Sequence, residues 1–289
     1  MLKYTKTGNL VKPSTLRGKT VQGFDQLLIE TNQVRYLRRV DRTIDRSVRR
    51  LEPVLQRMFR RQLAEVNKRL TRFETLLTES SEDEKRRAKN LWATIWQQVV
   101  KITVDEATDS LQELGEAIFQ EGATSLLDFL GDPVPISFEV VNRAAIAFRR
   151  ADKAIKGINE TTQAMIDTLL DEVIEQGTSY NKFAKTLEER FTEFSKKRAK
   201  RIAVFEIRDR HAGGQTQAAK QLQKEGLIVE KRWVSRGDSK VRPEHEEYDK
   251  LGYIPEDQEF KTDSGEAVPR PPTDPGCRCV IVRRLKVRT

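Results

Sequence analysis

Apolar residues recur three and four apart through most of this chain and stop doing so after Gly226. That change of period limits the possible folds more than any other feature. From about Phe24 to Leu77, the residues Leu37, Val40, Ile44, Val48, Leu51, Leu55 and Met58 make one narrow stripe, which predicts an amphipathic helix. After Gly226, Leu227-Ile228-Val229 and Lys231-Arg232-Trp233-Val234 predict a strand, and Val280-Ile281-Val282 predicts its antiparallel partner. The expected class is therefore mainly α: an elongated helical region followed by a small α+β C-terminal module with a short antiparallel sheet.

Gly, Pro and capping residues divide the chain in order. Residues 1–22 are polar and Gly/Lys-rich, and predict an N-terminal arm. Residues 23–131 form an N-terminal helical region in which Pro53 is expected to kink or interrupt the helix near Arg50. Ser80-Ser81 followed by Glu82-Asp83-Glu84 predicts a cap feeding a helix with Trp92 and Trp96 on one face, for core packing first and partner docking second. The helical pattern continues over 102–130, with Gly115 and Gly122 as soft spots or ends. Gly131-Asp132-Pro133-Val134-Pro135 marks the next boundary, and 132–225 form a central helical region. Within it a helix from about Glu139 to Ile155 is followed by Gly157-Ile158-Asn159, which reads as a stop and restart. Thr178-Ser179 caps a further helix, and a last one runs from about Ser195 to Glu225 with Gly213-Gly214 interrupting it. Residues 226–289 are the C-terminal module with a basic tail.

Charge bears on partners. Of 289 residues, 34% are charged and the net charge is +9, which suits a polyanionic or acidic partner. Arg38, Arg42, Arg46, Arg49, Arg50, Arg57, Arg60 and Arg61 crowd the first helix, where acids are few. A guanidinium grips phosphate or carboxylate with two bonds, so this face is expected to bind a polyanion or an acidic protein. The competing reading is a solvated face with intrahelical ion pairs. No apolar run approaches the ~20 residues that cross a bilayer. The N-terminus shows no apolar signal core, so synthesis in a reducing cytoplasm is expected.

Both cysteines, Cys277 and Cys279, and one of the two histidines, His245, fall between Trp233 and Cys279. Two thiols two residues apart on a strand would face one side. With His245 and Asp238 they could complete a tetrahedral zinc site, which would supply folding free energy to a module poor in apolar residues. The alternative is a pair of packed thiols beside a structural histidine. Asp238, His245, Glu206 and His211 are formal candidates for a hydrolytic site, and Cys with His245 for a nucleophilic one. No recognised catalytic spacing or phosphate-binding glycine loop supports either, so no catalytic residue is assigned.

The stretch resembles the C-terminal module of the phage Mu F-like head-morphogenesis (minor capsid) family. The resemblance rests on Trp233, Asp238, Val241, Arg242, His245, Phe260, Gly265, Pro271-Pro272, Cys277, Arg278 and Cys279. Upstream, Asn159 to Thr162, the Glu-Gln-Gly at 175–177 and the helix from Ser195 to Glu206 also fit. The family's usual Arg-Thr-Glu is here Val204-Phe205-Glu206, which keeps only the Glu. The resemblance implies a minor head protein of a tailed phage, acting in procapsid assembly with the portal protein and with capsid or scaffolding protein, and binding packaged DNA in some relatives. It implies residence in the virion, inside the head near the portal, with no membrane contact during assembly. The runner-up reading is a nucleic-acid-processing enzyme or toxin-like effector on the same module, and a third is a DNA-binding adaptor with no portal contact.

Overall fold

A computed structural model describes residues 21–70, 82–131, 141, 144, 151–175, 180–262 and 267–286. The helices are α1 (Val21–Leu70), α2 (Glu82–Thr103), α3 (Asp105–Leu130), α4 (Ala151–Glu175), α5 (Tyr180–Lys224) and the short α6 (Pro243–Lys250). The strands are β1 (Val229–Val234), β2 (Tyr253–Pro255) and β3 (Val280–Leu285). Among the described residues every strand therefore follows Gly226, as the loss of helical period predicts. Most of the expected arm, the Ser80-Ser81 and Thr178-Ser179 caps, the Pro133-Pro135 breaker and the end of the basic tail lie outside the described residues. No described helix is long and apolar enough to cross a membrane.

Several expected interruptions are absent. α1 runs unbroken through Pro53, whose ring faces solvent while Leu51, Val54 and Leu55 on either side are buried. Burial of those neighbours holds the helix where proline removes a backbone hydrogen bond. α4 passes through Gly157-Ile158-Asn159 because Asn159 does not cap; its side chain accepts a buried 2.8 Å hydrogen bond from Gln62 Nε2 on α1. The two helices expected over 179–225 are one 45-residue helix, α5, continuous through Gly213-Gly214. A helix break does occur at Val104, between α2 and α3, inside the stretch expected to continue.

Cα packing groups the chain into two compact units, each assembled from distant segments. One unit comprises 45–118 and 142–210. Its core includes Phe59, Trp92, Trp96, Phe183 and Phe191, all buried. Trp92 and Trp96 stack with centroids 5.9 Å apart, in keeping with their reading as core. The acid missing from α1 is supplied by α3: Glu106 pairs with Arg57 at 2.7 Å and with Arg61 at 2.8 Å.

The other unit comprises 1–44, 119–141 and 211–289. Here α3 and α5 approach backbone to backbone. A Cβ built on Gly214 would sit 1.8 Å from the Phe119 carbonyl oxygen, and one on Gly122 would sit 2.1 Å from that of His211. These glycines are therefore packing sites inside helices rather than ends. Tyr36 stacks on Phe129 at 4.3 Å, and Arg39 reaches Asp128 at 2.8 Å. The sheet has the order β2-β1-β3, antiparallel throughout, with Trp233 opposite Ile281 and Val234 opposite Val280. Arg283 on β3 grips Glu256 with two bonds of 2.8 and 2.9 Å, and also donates to Thr216 of α5 at 2.9 Å.

Candidate metal centre

The sheet fixes the site by presenting Trp233 and Ile281 on one face. With Tyr248, Phe260, Cys277 and Cys279 they form a buried cluster, with Ile254 and Val268 against it. α6 brings His245 and Tyr248, three residues apart, to the same side; both are buried. Its start has Pro243 in the first turn and acids at Glu244 and Glu246, a helix-opening pattern. The Trp233 ring lies 5.2 Å from that of His245, 4.9 Å from Tyr248 and 5.4 Å from Phe260.

Cys277 and Cys279 come just before β3 rather than on it, and both are buried. Their sulfurs nevertheless converge on one atom. His245 Nδ1 lies 3.8 Å from Cys277 Sγ and 3.6 Å from Cys279 Sγ. The ligand atoms of these three residues all fall within 4.8 Å of one another. Soft thiolates with an imidazole are the donor set preferred by zinc and similar thiophilic cations.

Electrostatics at the pair is lopsided. A hydrogen bond from Cys279 favours the Cys277 thiolate and holds its pKa down at about 6, against the opposing effect of burial. Backbone N–H groups of Thr273 and Cys279 work in the same direction. Cys279 is pushed up, because it is the donor in that bond and because it is buried. Trp233 Nε1 is buried with no hydrogen-bond partner among the described residues, and it favours the ionised form of Cys279. A stranded N–H donor beside a sulfur suits a thiolate there, as metal ligation requires. The residues present thus fit a thiophilic divalent cation.

The remaining motif residues are placed around this group. Asp238 accepts two bonds from Arg278, at 2.8 and 2.6 Å, on the surface; its carboxylate is held low by that guanidinium, and it is not in the three-residue group. Arg242 pairs with Asp274 at 2.5 Å. Thr273 Oγ1 donates to Asp274 Oδ2 at 2.8 Å and lies 3.2 Å from His245 Nε2. Thr273 and Asp274 are absent from the sequence-based candidates; the only hint of them is a turn-forming Thr-Asp-Pro-Gly directly before Cys277. Glu206 is buried on α5 in the unit built from 45–118 and 142–210, 3.7 Å from Arg210, and His211 is buried on the same helix. On α1, Arg38, Arg42, Arg46, Arg49, Arg50 and Arg60 are exposed and carry no ion pair among the described residues. Gly265 lies outside the described residues.

Residues 164–282 match the model of a family described as phage Mu protein F like protein. Over that stretch the chain is phage Mu F-like. The matched segment runs from α4 to β3 and includes His245, Cys277 and Cys279. That similarity points to a phage head-morphogenesis protein. No curated protein and no solved structure matches the chain.

Proposed function

We propose that this Mu F-like chain is a minor head protein of a tailed phage, made in the host cytoplasm and acting in procapsid assembly beside the portal protein. The observation that carries the reading is the Mu F-like match over 164–282. Its place would be inside the head near the portal, with capsid or scaffolding protein as further contacts. The segments 1–22, 23–131, 132–225 and 226–289 belong to this proposal as the working divisions of the chain.

The exposed arginines of α1 support docking on an acidic partner. Arg57 and Arg61 are engaged by Glu106, whereas Arg46, Arg49 and Arg50 lack such a partner among the described residues. Packaged DNA is the second ligand for the same side chains, which would act together with Arg38, Arg42 and Arg60. The same reading takes Zn2+ as the ion held by His245, Cys277 and Cys279, stabilising the C-terminal module rather than turning over a substrate.

The test is co-purification of the full chain with its portal protein at low and high salt, beside DNA binding over a salt series. Arg46→Ala with Arg49→Ala is expected to lose portal capture at both salts while retaining most DNA affinity. If those arginines instead neutralise phosphates, the log–log salt slope flattens by roughly 2, since each phosphate contributes about 0.9. Unchanged behaviour in both assays removes the docking role. Metal-dependent breakdown of DNA, lost in His245→Ala, would replace the head-protein reading with that of an enzyme or toxin-like effector.

A further inference from the structure

The geometry points to Arg242, Asp274 and Thr273 as a positioning chain that presents the bare Nδ1 of His245 to the two cysteines, making the three a site for a thiophilic divalent cation such as Zn2+. This rests on reading the group as a metal centre, and it explains why that reading needs residues that ligate nothing.

Thr273 Oγ1 has a single proton, and it is directed to Asp274 Oδ2 at 2.8 Å. Toward His245 Nε2, 3.2 Å away, the hydroxyl can therefore only accept. An accepting hydroxyl places the ring proton on Nε2 and leaves the lone pair on Nδ1. Arg242, paired with the other oxygen of Asp274 at 2.5 Å, fixes the direction in which that carboxylate points. The charge order thus runs from guanidinium through carboxylate and hydroxyl to imidazole and ends on a nitrogen that can only accept or ligate. Metal-binding histidines commonly have such an outer partner on their second nitrogen.

Nδ1 then faces two sulfurs, at 3.8 and 3.6 Å. One lone pair can accept one S–H, so by itself it engages at most one of the two sulfurs. A cation between the three atoms satisfies all of them. With Zn–N near 2.0–2.1 Å and Zn–S near 2.3 Å, a tetrahedron has an N···S edge of about 3.6 Å, so the observed separations already have the required size. Trp233 Nε1, buried and without a hydrogen-bond partner among the described residues, leaves an N–H donor in the same buried cluster as the two cysteines. Asp238 is held on Arg278, so the fourth position falls to a donor outside this set, such as water.

The experiment titrates the full-length reduced protein with Co2+ as a spectroscopic probe and with Zn2+ in competition. Wild type is expected to take up one Co2+ per chain, with sulfur-to-metal charge transfer and the strong visible bands of tetrahedral cobalt. Cys277→Ser and His245→Ala should lose the signal. Thr273→Val removes the acceptor and should weaken binding by about 10- to 100-fold, while Thr273→Ser retains wild-type affinity. Asp274→Ala frees the hydroxyl to donate to Nε2, which moves the ring proton to Nδ1, so it should weaken binding as well. Equal unfolding midpoints of the metal-free variants and metal-free wild type would separate this effect from a folding defect. Where Thr273→Val fails to fold, Asp274→Ala decides. Wild-type affinity in both relay variants overturns the positioning chain and leaves the metal centre standing. Absence of uptake by wild type overturns the metal centre itself.

Discussion

Arg283 and Glu256 form an ion pair whose side chains are each about 1% exposed. Two ions are held away from water because their bonds are bidentate and Thr216 takes a third donor. Glu256→Gln leaves the guanidinium buried without its counter-charge, so the expected loss is about 3–5 kcal/mol in urea unfolding. Replacing both partners with apolar residues of similar volume should recover most of it. Glu230 on β1 behaves differently. Its carboxyl is held below the usual range, chiefly by the Arg284 hydrogen bond and with help from Lys286. A depressed folded-state pKa gives stability that is present above the ordinary carboxylate pKa and is lost as pH falls through the folded value. The gap in unfolding midpoint between wild type and Glu230→Gln should therefore be widest near neutrality and shrink in acid. A gap that stays constant from pH 7 to pH 3 would refute this. At this scale the sequence reveals donor types but not their partners. Cys277, Cys279 and His245 are recognisable as ligands by chemistry alone. The alliance of Asp238 with Arg278, and of Arg242 with Asp274, depends on how the turns fold.

Among the elements, the apolar period identified the helices and its loss located the sheet. Punctuation was the misleading signal. Gly122, Gly214, Asn159 and Pro53 all read as breaks, and all lie inside continuous helices. Glycine at 122 and 214 serves close approach of α3 and α5, and Asn159 serves a buried bond to Gln62, neither of which shows in a single-helix pattern. Gly214→Ala must push the Phe119 carbonyl or the helix away, costing at least the 1–3 kcal/mol typical of overpacking, despite the better helix propensity of alanine. Gly157→Ala, where a Cβ meets open space, should instead be neutral or stabilising. Thermal melts of the two variants that ranked them the other way would sink the packing account. α6 and β2 escaped detection because each is too short to establish a period: α6 has eight residues and β2 three.

For the whole molecule, metal removal offers the sharpest contrast. If the cation stabilises the module, chelation under reducing conditions should speed amide hydrogen exchange over 229–285, while α2 and α4, in the other unit, stay protected. Uniform acceleration, or none, would count against a local staple. The Mu F-like resemblance was legible because a few unusual residues cluster near the C-terminus, and the broad class because the apolar period stops after Gly226. The spatial grouping was not, since it joins residues 21–44 and 119–130 to 211–286. That grouping has a temporal consequence. On a ribosome, the unit of 45–118 and 142–210 has all its residues once position 210 has been made. The other unit stays incomplete until 211–286 has been made, although Tyr36 and Arg39 can meet Phe129 and Asp128 earlier. Its contacts are of high sequence separation, so its closure should be the slow step of folding and the stage most exposed to aggregation.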